Sequence, residues 1–355
     1  MLQPFFVSLP AEMKLLVFNP EHDIALASNL ANFTAPHAGR LLRSDLGWLP
    51  ALWAGRDDVV LVDHREHALA SWQRIRAKVG LGEARFVEKS ELATLGISSV
   101  EPWGWDLALR AYLLRHGVTA VPTESEVADI RRLSHRRQAA SLLAALRGVE
   151  GTVGEAYEVT GMGALADFLA DWHRVVLKAP WSSSGRGIRF IDRPMDEAQV
   201  SWMQRVVERQ GSVMVEPYYD KVRDFGMEFC ADAGGIHYVG LSLFQTKNGA
   251  YAGNVLAPEQ AKREVLGRYI PLSWLDEVCL RIVTRLDLGN YRGSFGVDMM
   301  VVRSRGSLRL HPCVELNLRR TMGHVALALT PADDDRKVMR IDFNGQNYKL
   351  KINKL

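Results

Sequence analysis

Short apolar runs alternate with amphipathic stretches through the first third of the chain. Residues 14–18, 59–63 and 85–88 read as strands, with helical spacing over residues 68–78 between the second and third. Trp103-Gly104-Trp105-Asp106 opens a further helix that ends near His116-Gly117. This alternation predicts a small, mostly parallel sheet covered by helices. Residues 122–126 read as a seam, after which the pattern changes. Ser134 is placed to cap a helix over residues 135–146, and another helix near residues 158–171 precedes an apolar strand, 174–178. An amphipathic helix over 196–210 leads to a strand, 212–219, closed by Pro217. Residues 224–229 and 237–244 read as successive antiparallel strands, while 245–254, polar and punctuated by glycine, reads as a mobile loop able to close over a site. A helix over 274–286 leads to two extended stretches, 297–302 and 311–320, and a helix over 321–329 follows. The last residues alternate about Asn344-Gly345, a hairpin signal, and Asp333-Asp334-Asp335-Arg336 reads as an exposed connector.

Chemistry concentrates in the two late extended stretches. Asp298 interrupts an apolar run, and Glu315, Asn317 and Arg319 occupy alternate positions, so on a strand all three share a face. Two carboxylates and an amide oxygen are hard donors of the kind Mg²⁺ takes, and Arg319 beside them suits an anion. Two antiparallel strands with one solvated polar face satisfy the same pattern. Earlier, Lys178 ends an apolar strand directly before Ala179-Pro180-Trp181-Ser182-Ser183-Ser184-Gly185-Arg186-Gly187. Gly185 and Gly187 permit close approach of backbone N–H groups to an anion, and Ser182, Ser183 and Ser184 add hydroxyl donors. No Gly-Lys-Ser/Thr follows and the next segment reads as strand, so this is not the strand-to-helix phosphate loop; a plain hairpin turn is the alternative.

Other candidates carry weaker signals. Arg136 and Arg137 on the helix after Ser134 reach either a nucleotide phosphate or only solvent. Asn19-Pro20-Glu21-His22-Asp23 stands at the carboxyl end of the first strand, where open α/β sheets bind ligands, and Glu21, His22, Asp23 and Arg40 are candidates for substrate contact; a capped turn leading into a helix is the alternative. His324, early in its helix, is either a proton acceptor or a buried structural histidine. Tyr218, Tyr219 and Tyr251 are offered as pocket walls.

Composition narrows the class. At 355 residues and 47% hydrophobic, the chain is long enough for two or three packed units. A net charge of +3, with basic residues spread out, argues against a nucleic-acid partner. No apolar run approaches the roughly 18 residues of a membrane span. Cys230, Cys279 and Cys313 lie far apart without metal-type spacing, which suggests reduced thiols and a cytoplasmic location. Residues 1–12 lack the features of a secretory signal and read as a loose arm before the more natural beginning at Met13-Lys14.

In order and spacing these residues resemble the ATP-grasp superfamily of carboxylate–amine and carboxylate–thiol ligases. Lys178 with the turn from Ser182 to Gly187 is similar to that family's nucleotide lysine and glycine loop. Val215-Glu216-Pro217-Tyr218 resembles the hinge whose backbone faces the adenine while its carboxylate meets the ribose. Asp298, Glu315 and Asn317 resemble the magnesium set, and Glu-x-Asn-x-Arg at Glu315, Asn317 and Arg319 resembles the version in the biotin carboxylase branch. The resemblance implies an N-terminal α/β domain with a small parallel sheet (13–121) after the arm (1–12). A two-subdomain α+β grasp with antiparallel sheets (122–210 and 211–330) would follow, then a C-terminal hairpin extension (331–355). It implies ATP between the two subdomains with one or two Mg²⁺, Mn²⁺ serving as a substitute. It further implies attack of a small-molecule carboxylate on the γ-phosphate and displacement of the acyl phosphate by an amine, of amino-acid or peptide type. Phosphoryl transfer to a hydroxyl, as in a kinase, and regulatory nucleotide binding without turnover are the alternatives, and a homodimer is common in the class. Two positions depart from the family. Arg136 stands where many members have lysine, and Gly296 stands where D-alanine ligases have an arginine. Oxyanion stabilisation therefore falls to Arg319, Arg320 or Arg292, and residues after 329 match nothing in the family.

Overall fold

A computed structural model of the protein describes residues 12–182, 185, 187–247, 250–331 and 336–354. The proposed arm up to residue 11 and the aspartates 333–335 lie outside the described residues. The chain opens with β1 (Met13–Val17), α1 (His22–Ser28), α2 (His37–Leu46), β2 (Val59–Leu61), α3 (Arg65–Val79), β3 (Arg85–Val87), β4 (Ile97–Pro102) and α4 (Leu107–Arg115). The four strands form a parallel sheet in the order β3-β2-β1-β4. Leu15 and Leu16 are both wholly buried, as a strand covered on two faces requires. One face packs Leu16, Trp48 and Trp72, and the other packs Leu15, Leu109 and Leu113. The edge strand β4 carries little apolar periodicity, which hid it from the sequence pattern.

The seam at residues 122–126 is a helix start. Thr123 and Glu126 form a capping box that opens α5 (Glu124–Leu133), and Ser134 ends that helix instead of beginning the next, α6 (Arg137–Leu146). A second layer follows: β5 (Tyr157–Val159), α7 (Met162–Asp171), β6 (Arg174–Lys178), β7 (Ile188–Asp192), α8 (Glu197–Gln210) and β8 (Val213–Pro217). Its strands form an antiparallel sheet, β5-β8-β6-β7, packed on α7 and α8 through Leu165, Leu177, Met203 and Val213.

The long strands come next: β9 (Asp220–Asp232), β10 (Gly235–Ser242), β11 (Phe244–Lys247) and β12 (Ala250–Leu256), then α9 (Glu259–Gly267), α10 (Leu272–Arg285), β13 (Gly293–Ser304), β14 (Ser307–Asn317) and α11 (Met322–Ala328). The antiparallel sheet β10-β9-β13-β14 holds the largest core, with Phe225, Phe229, Phe295 and Val297 against α6 and α10. In the expected loop at 245–254, residues 245–247 and 250–254 are instead paired strand, β11 with β12, while 248 and 249 lie outside the described residues; β12 pairs with β15 (Lys337–Phe343) and that with β16 (Tyr348–Lys354). Gly253, at φ 149°, explains the glycine there: a Cβ would sit 2.6 Å from the Met339 carbonyl on β15. The hairpin about Asn344-Gly345 is present. Its residues Met339 and Leu350 share one core with Trp48 and Trp72 of the first sheet. Among the described residues no helix is long and apolar enough to cross a membrane.

Candidate active site

β13 lies between β9 and β14, and register alone collects the late carboxylates. Asp298 stands opposite Glu315 on one side and Gly226 on the other, and Gly296 stands between Asn317 and Glu228. Directly opposed residues share a face, so Glu228, Asp298, Glu315 and Asn317 rise from three adjacent strands on one side of the sheet. Asn317 donates from Nδ2 to Asp298 Oδ2 at 3.1 Å. Glu228, 2% exposed, accepts from Thr321 Oγ1 at 2.7 Å and lies 3.0 Å from His324 Nδ1. Sequence reasoning missed Glu228. The signal was present, because it is the lone carboxylate between buried Met227 and Phe229, the same interruption that marked Asp298. His324 is buried against this carboxylate and the Phe229 carbonyl.

The second layer meets this face at Lys178 directly and at Ser182 through Arg136. Lys178, 5% exposed at the end of β6, pairs with Glu216 Oε2 at 2.7 Å and donates to the Val314 carbonyl, next to Glu315, at 3.3 Å. Arg136, at the start of α6, reaches Glu315 Oε1 at 2.6 Å with one nitrogen and Ser182 Oγ at 2.7 Å with the other. The turn after β6 is thus stitched to the carboxylate strand. Gly185 adopts φ 71°, and a Cβ on Gly187 would overlap Ser182 Oγ, so both glycines are required by the turn itself. Ser183 and Ser184 lie outside the described residues. Val215 is buried on β8, and Tyr218 is half exposed beneath the Arg174 guanidinium, 3.9 Å from its centroid.

The parallel-sheet segment enters through charged pairs. Arg319 clasps Asp23 with Nε (3.1 and 3.0 Å) and Nη2 (2.9 Å), and Nη2 also donates to Asn317 Oδ1 at 2.9 Å. Arg320 departs from the expected catalytic placement. Its Nε and Nη2 donate to Glu101, and its guanidinium lies 4.2 Å over the Trp53 ring, so its hydrogen-bonding edge is committed to the edge strand of the parallel sheet. Arg292 likewise turns back on the Gly289 and Tyr291 carbonyls. Glu21 makes no cap hydrogen bond at α1, so the capped-start alternative does not hold there; it pairs with Arg43 at 2.5 Å.

Electrostatics follow from this crowding. Burial raises the Asp298 carboxyl well above its usual range, and the Glu315 and Glu228 charges add to it. Burial would also raise Asp23, but Arg319 overcomes it and holds that carboxyl below the usual range. Among the described residues no cluster of three His, Cys, Asp or Glu side chains has metal-binding geometry. Mg²⁺ does not demand one, since it commonly takes one or two carboxylates and completes its shell with water and phosphate oxygens. The crowded negative charge about Asp298 and Glu315 fits such a cation, whereas the Asn317 oxygen is turned to Arg319.

No family model matches the sequence, and no curated protein matches it. Solved structures do. An N5-carboxyaminoimidazole synthetase from Staphylococcus aureus complexed with ADP superposes with TM-score 0.51 at 11% identity, over 95% of this chain and 83% of the other. A biotin carboxylase ATP-analogue complex from Campylobacter jejuni gives 0.53 at 13%, over 95% and 77%. The chain has the ATP-grasp fold. An ADP complex of an N5-carboxyaminoimidazole ribonucleotide synthetase gives 0.53 at 12%, over 98% and 93%, so the ATP-grasp likeness extends across nearly the whole chain.

Proposed function

We propose that the protein is an ATP-dependent ligase that joins a small-molecule carboxylate to an amine through an acyl phosphate, with release of ADP and phosphate. The observation that carries this reading is the meeting of two layers at one point. Arg136 joins Ser182 of the glycine turn to Glu315, and Lys178 touches the strand beside it. Phosphoryl transfer asks a protein mainly for alignment and charge neutralisation, and these residues supply both. Lys178, Arg136 and the amides of the turn from Ser182 to Gly187 would hold phosphates, with Ser183 and Ser184 included. The adenine would lie beside Val215, Glu216 and Tyr218. Glu216 neutralises Lys178 at 2.7 Å in this structure, so nucleotide entry redistributes that pair. Asp298, Glu315 and, after its amide turns from Arg319, Asn317 would hold Mg²⁺, which would supply charge neutralisation for the phosphates.

Arg319 is spent on Asp23 and Asn317, so it acts through its charge near the developing oxyanion and by fixing the first domain against the site. Arg320 holds Glu101 and serves as a clamp. Removing one preorganised electrostatic contact of this type costs on the order of 3 kcal/mol, roughly a hundredfold in rate. Lys178→Ala and Glu315→Ala should each abolish ATP turnover while circular dichroism remains that of the parent. Unchanged turnover in both rejects the site. Trapping with hydroxylamine then decides the chemistry: a hydroxamate reports an acyl phosphate, and a phosphorylated alcohol with no hydroxamate reports a kinase.

A further inference from the structure

We infer that a cavity of about 390 Å³, bounded by α9, β9 and the sheet from β11 to β16, binds a small organic phosphate, its phosphate group among Arg223, Arg340 and Lys354 and its carbon body on an apolar floor. The site uses none of the residues assigned to the nucleotide and stands whether or not the ligase reading does. Its volume falls in the lower part of the range for small-molecule sites, which suits a metabolite.

Strand register builds the floor. Val338 on β15 stands opposite Val255 on β12, so the two share a face, and Arg340, two positions on, shares it with them. A Cβ on Gly253 would lie 2.9 Å from Arg340 Cγ, so the glycine leaves that side chain a path across β12. Ala261 and Val265, four positions apart on α9, present one apolar stripe to the cavity. Arg223 enters from β9. It stands opposite Val301, three positions of unbroken register from the Gly226–Asp298 pair, so it rises from the other face of the sheet. A ligand beside it is separated by that sheet from the carboxylates of the candidate active site.

The lining carries five cations, Arg223, Lys262, Arg336, Arg340 and Lys354, and no carboxylate among the described residues. Two of the five are held. Lys262, 2% exposed, donates to the Leu241 carbonyl at 2.5 Å and lies 3.6 Å from Glu259, and Arg336 lies 4.0 Å from Glu264. Arg223, Arg340 and Lys354 make no hydrogen bond or ion pair among the described residues. Arg340 and Lys354 are exposed, and a solvated surface cation needs no partner. Arg223 differs. It is half-buried, and its Nε is closed to solvent with no acceptor, so its charge is partly desolvated without a counter-ion and only its terminal nitrogens are left to meet one. A phosphate monoester carries about two negative charges at neutral pH, and a guanidinium fork meets two of its oxygens at once. A carboxylate brings a single charge to the same three cations. Inorganic phosphate brings the charge but nothing to cover the valines of the floor.

The test titrates the full chain by calorimetry with naphthyl phosphate, naphthoate and inorganic phosphate. Naphthyl phosphate should bind, with the other two weaker by about tenfold or more. The double variant Arg340→Ala with Lys354→Ala, on exposed side chains, should weaken naphthyl phosphate by about tenfold, and Arg223→Met, which keeps the apolar volume, by about as much. Naphthyl phosphate should not displace a fluorescent ATP analogue, whose own affinity the double variant leaves unchanged. No binding by naphthyl phosphate, equal binding by naphthoate or inorganic phosphate, or an affinity unchanged in the double variant overturns the inference. Displacement of the ATP analogue puts the phosphate in the nucleotide site and overturns it as well. Binding that emerges only when Asp333, Asp334 and Asp335 are changed to asparagine means that the chain's own carboxylates satisfy these cations, and this too overturns it.

Discussion

A carboxylate at Glu228 needs neighbours without side chains. A Cβ on Gly296 would lie 2.6 Å from Glu228 Oε2 and 2.8 Å from the Thr321 methyl, and one on Gly323 would overlap Glu228 Oε1. Gly296 therefore stands where D-alanine ligases carry arginine because Glu228 already fills the space in front of it. We expect Gly323→Ala to displace Glu228 from Thr321 and His324. Overpacking a filled site typically costs about 1–3 kcal/mol. Thermal unfolding and ATP turnover should both fall, and an unchanged melting temperature together with parental turnover would show that Glu228 has room to move. The same residue marks a limit of sequence reading. Asp298, Glu315, Asn317 and Arg319 could be read together because a period of two places three of them on one face. Glu228 belongs to a strand some seventy positions earlier, and only sheet register brings it beside Gly296.

Strand β14 gathers more than its two candidate ligands. His311 on the same strand is wholly buried, and neither ring nitrogen has a partner among the described residues; the Tyr219 ring meets it edge-on at 5.2 Å. Burial lowers its pKa to about 3, with the Lys178 charge acting in the same direction. Burial and Arg137 likewise lower His135 to about 4. Both rings are thus neutral in the fold, whereas the unfolded chain takes up their protons below about pH 6.5. Stability from this source is complete above that pH and is lost as pH falls toward the lowered values. For His311 the loss is up to roughly 1.4 kcal/mol per pH unit. His311→Phe should move the acid-unfolding midpoint to lower pH in a denaturation series. A midpoint that stays put or rises would mean that the ring is protonated in the native state. Elements with strong local signals, such as β1, β6 and the hairpin at Asn344-Gly345, were legible in sequence. The strand at 97–102 and the paired strands β11 and β12 were not, because neighbouring strands rather than their own apolar periodicity make them sheet.

At the scale of the molecule, two arginine pairs join the parallel-sheet segment to the strands that carry the candidate site, Arg319 to Asp23 and Arg320 to Glu101. Neither pairing was readable from the sequence, since the partners stand more than two hundred positions apart. Asp23→Asn leaves the Arg319 charge without its counter-ion, and losing hydrogen bonds to a charged group in this partly buried pair costs about 1.5–3 kcal/mol. Turnover should fall with it, and the double variant with Arg319→Gln should recover part of the stability in a denaturant titration. Purely additive losses would mean that the two residues do not interact.

The C-terminal hairpin completes the same junction. β15 pairs with β12, β16 lies beside α2, and Asp45 accepts from the Tyr348 N–H at 2.7 Å and the Asn347 amide at 3.3 Å. Wholly or nearly buried Met339 and Leu350 close a core that runs from Trp48 and Trp72 to Leu256 and Val325. Removing residues 337–354 would open that core and leave β12 with an unpaired edge. Deleting one buried side chain of this size costs about 2–5 kcal/mol, so losing two with a strand ladder exceeds the margin of many domains. We expect the truncated chain to be insoluble or to unfold well below the parent. Asp45→Ala, which removes these hydrogen bonds and the His67 contact at 3.7 Å but leaves the core in place, should cost about 1–3 kcal/mol. Thermal unfolding of the two side by side checks the assignment. Were the hairpin a dispensable appendage, the truncation would melt at the parental temperature.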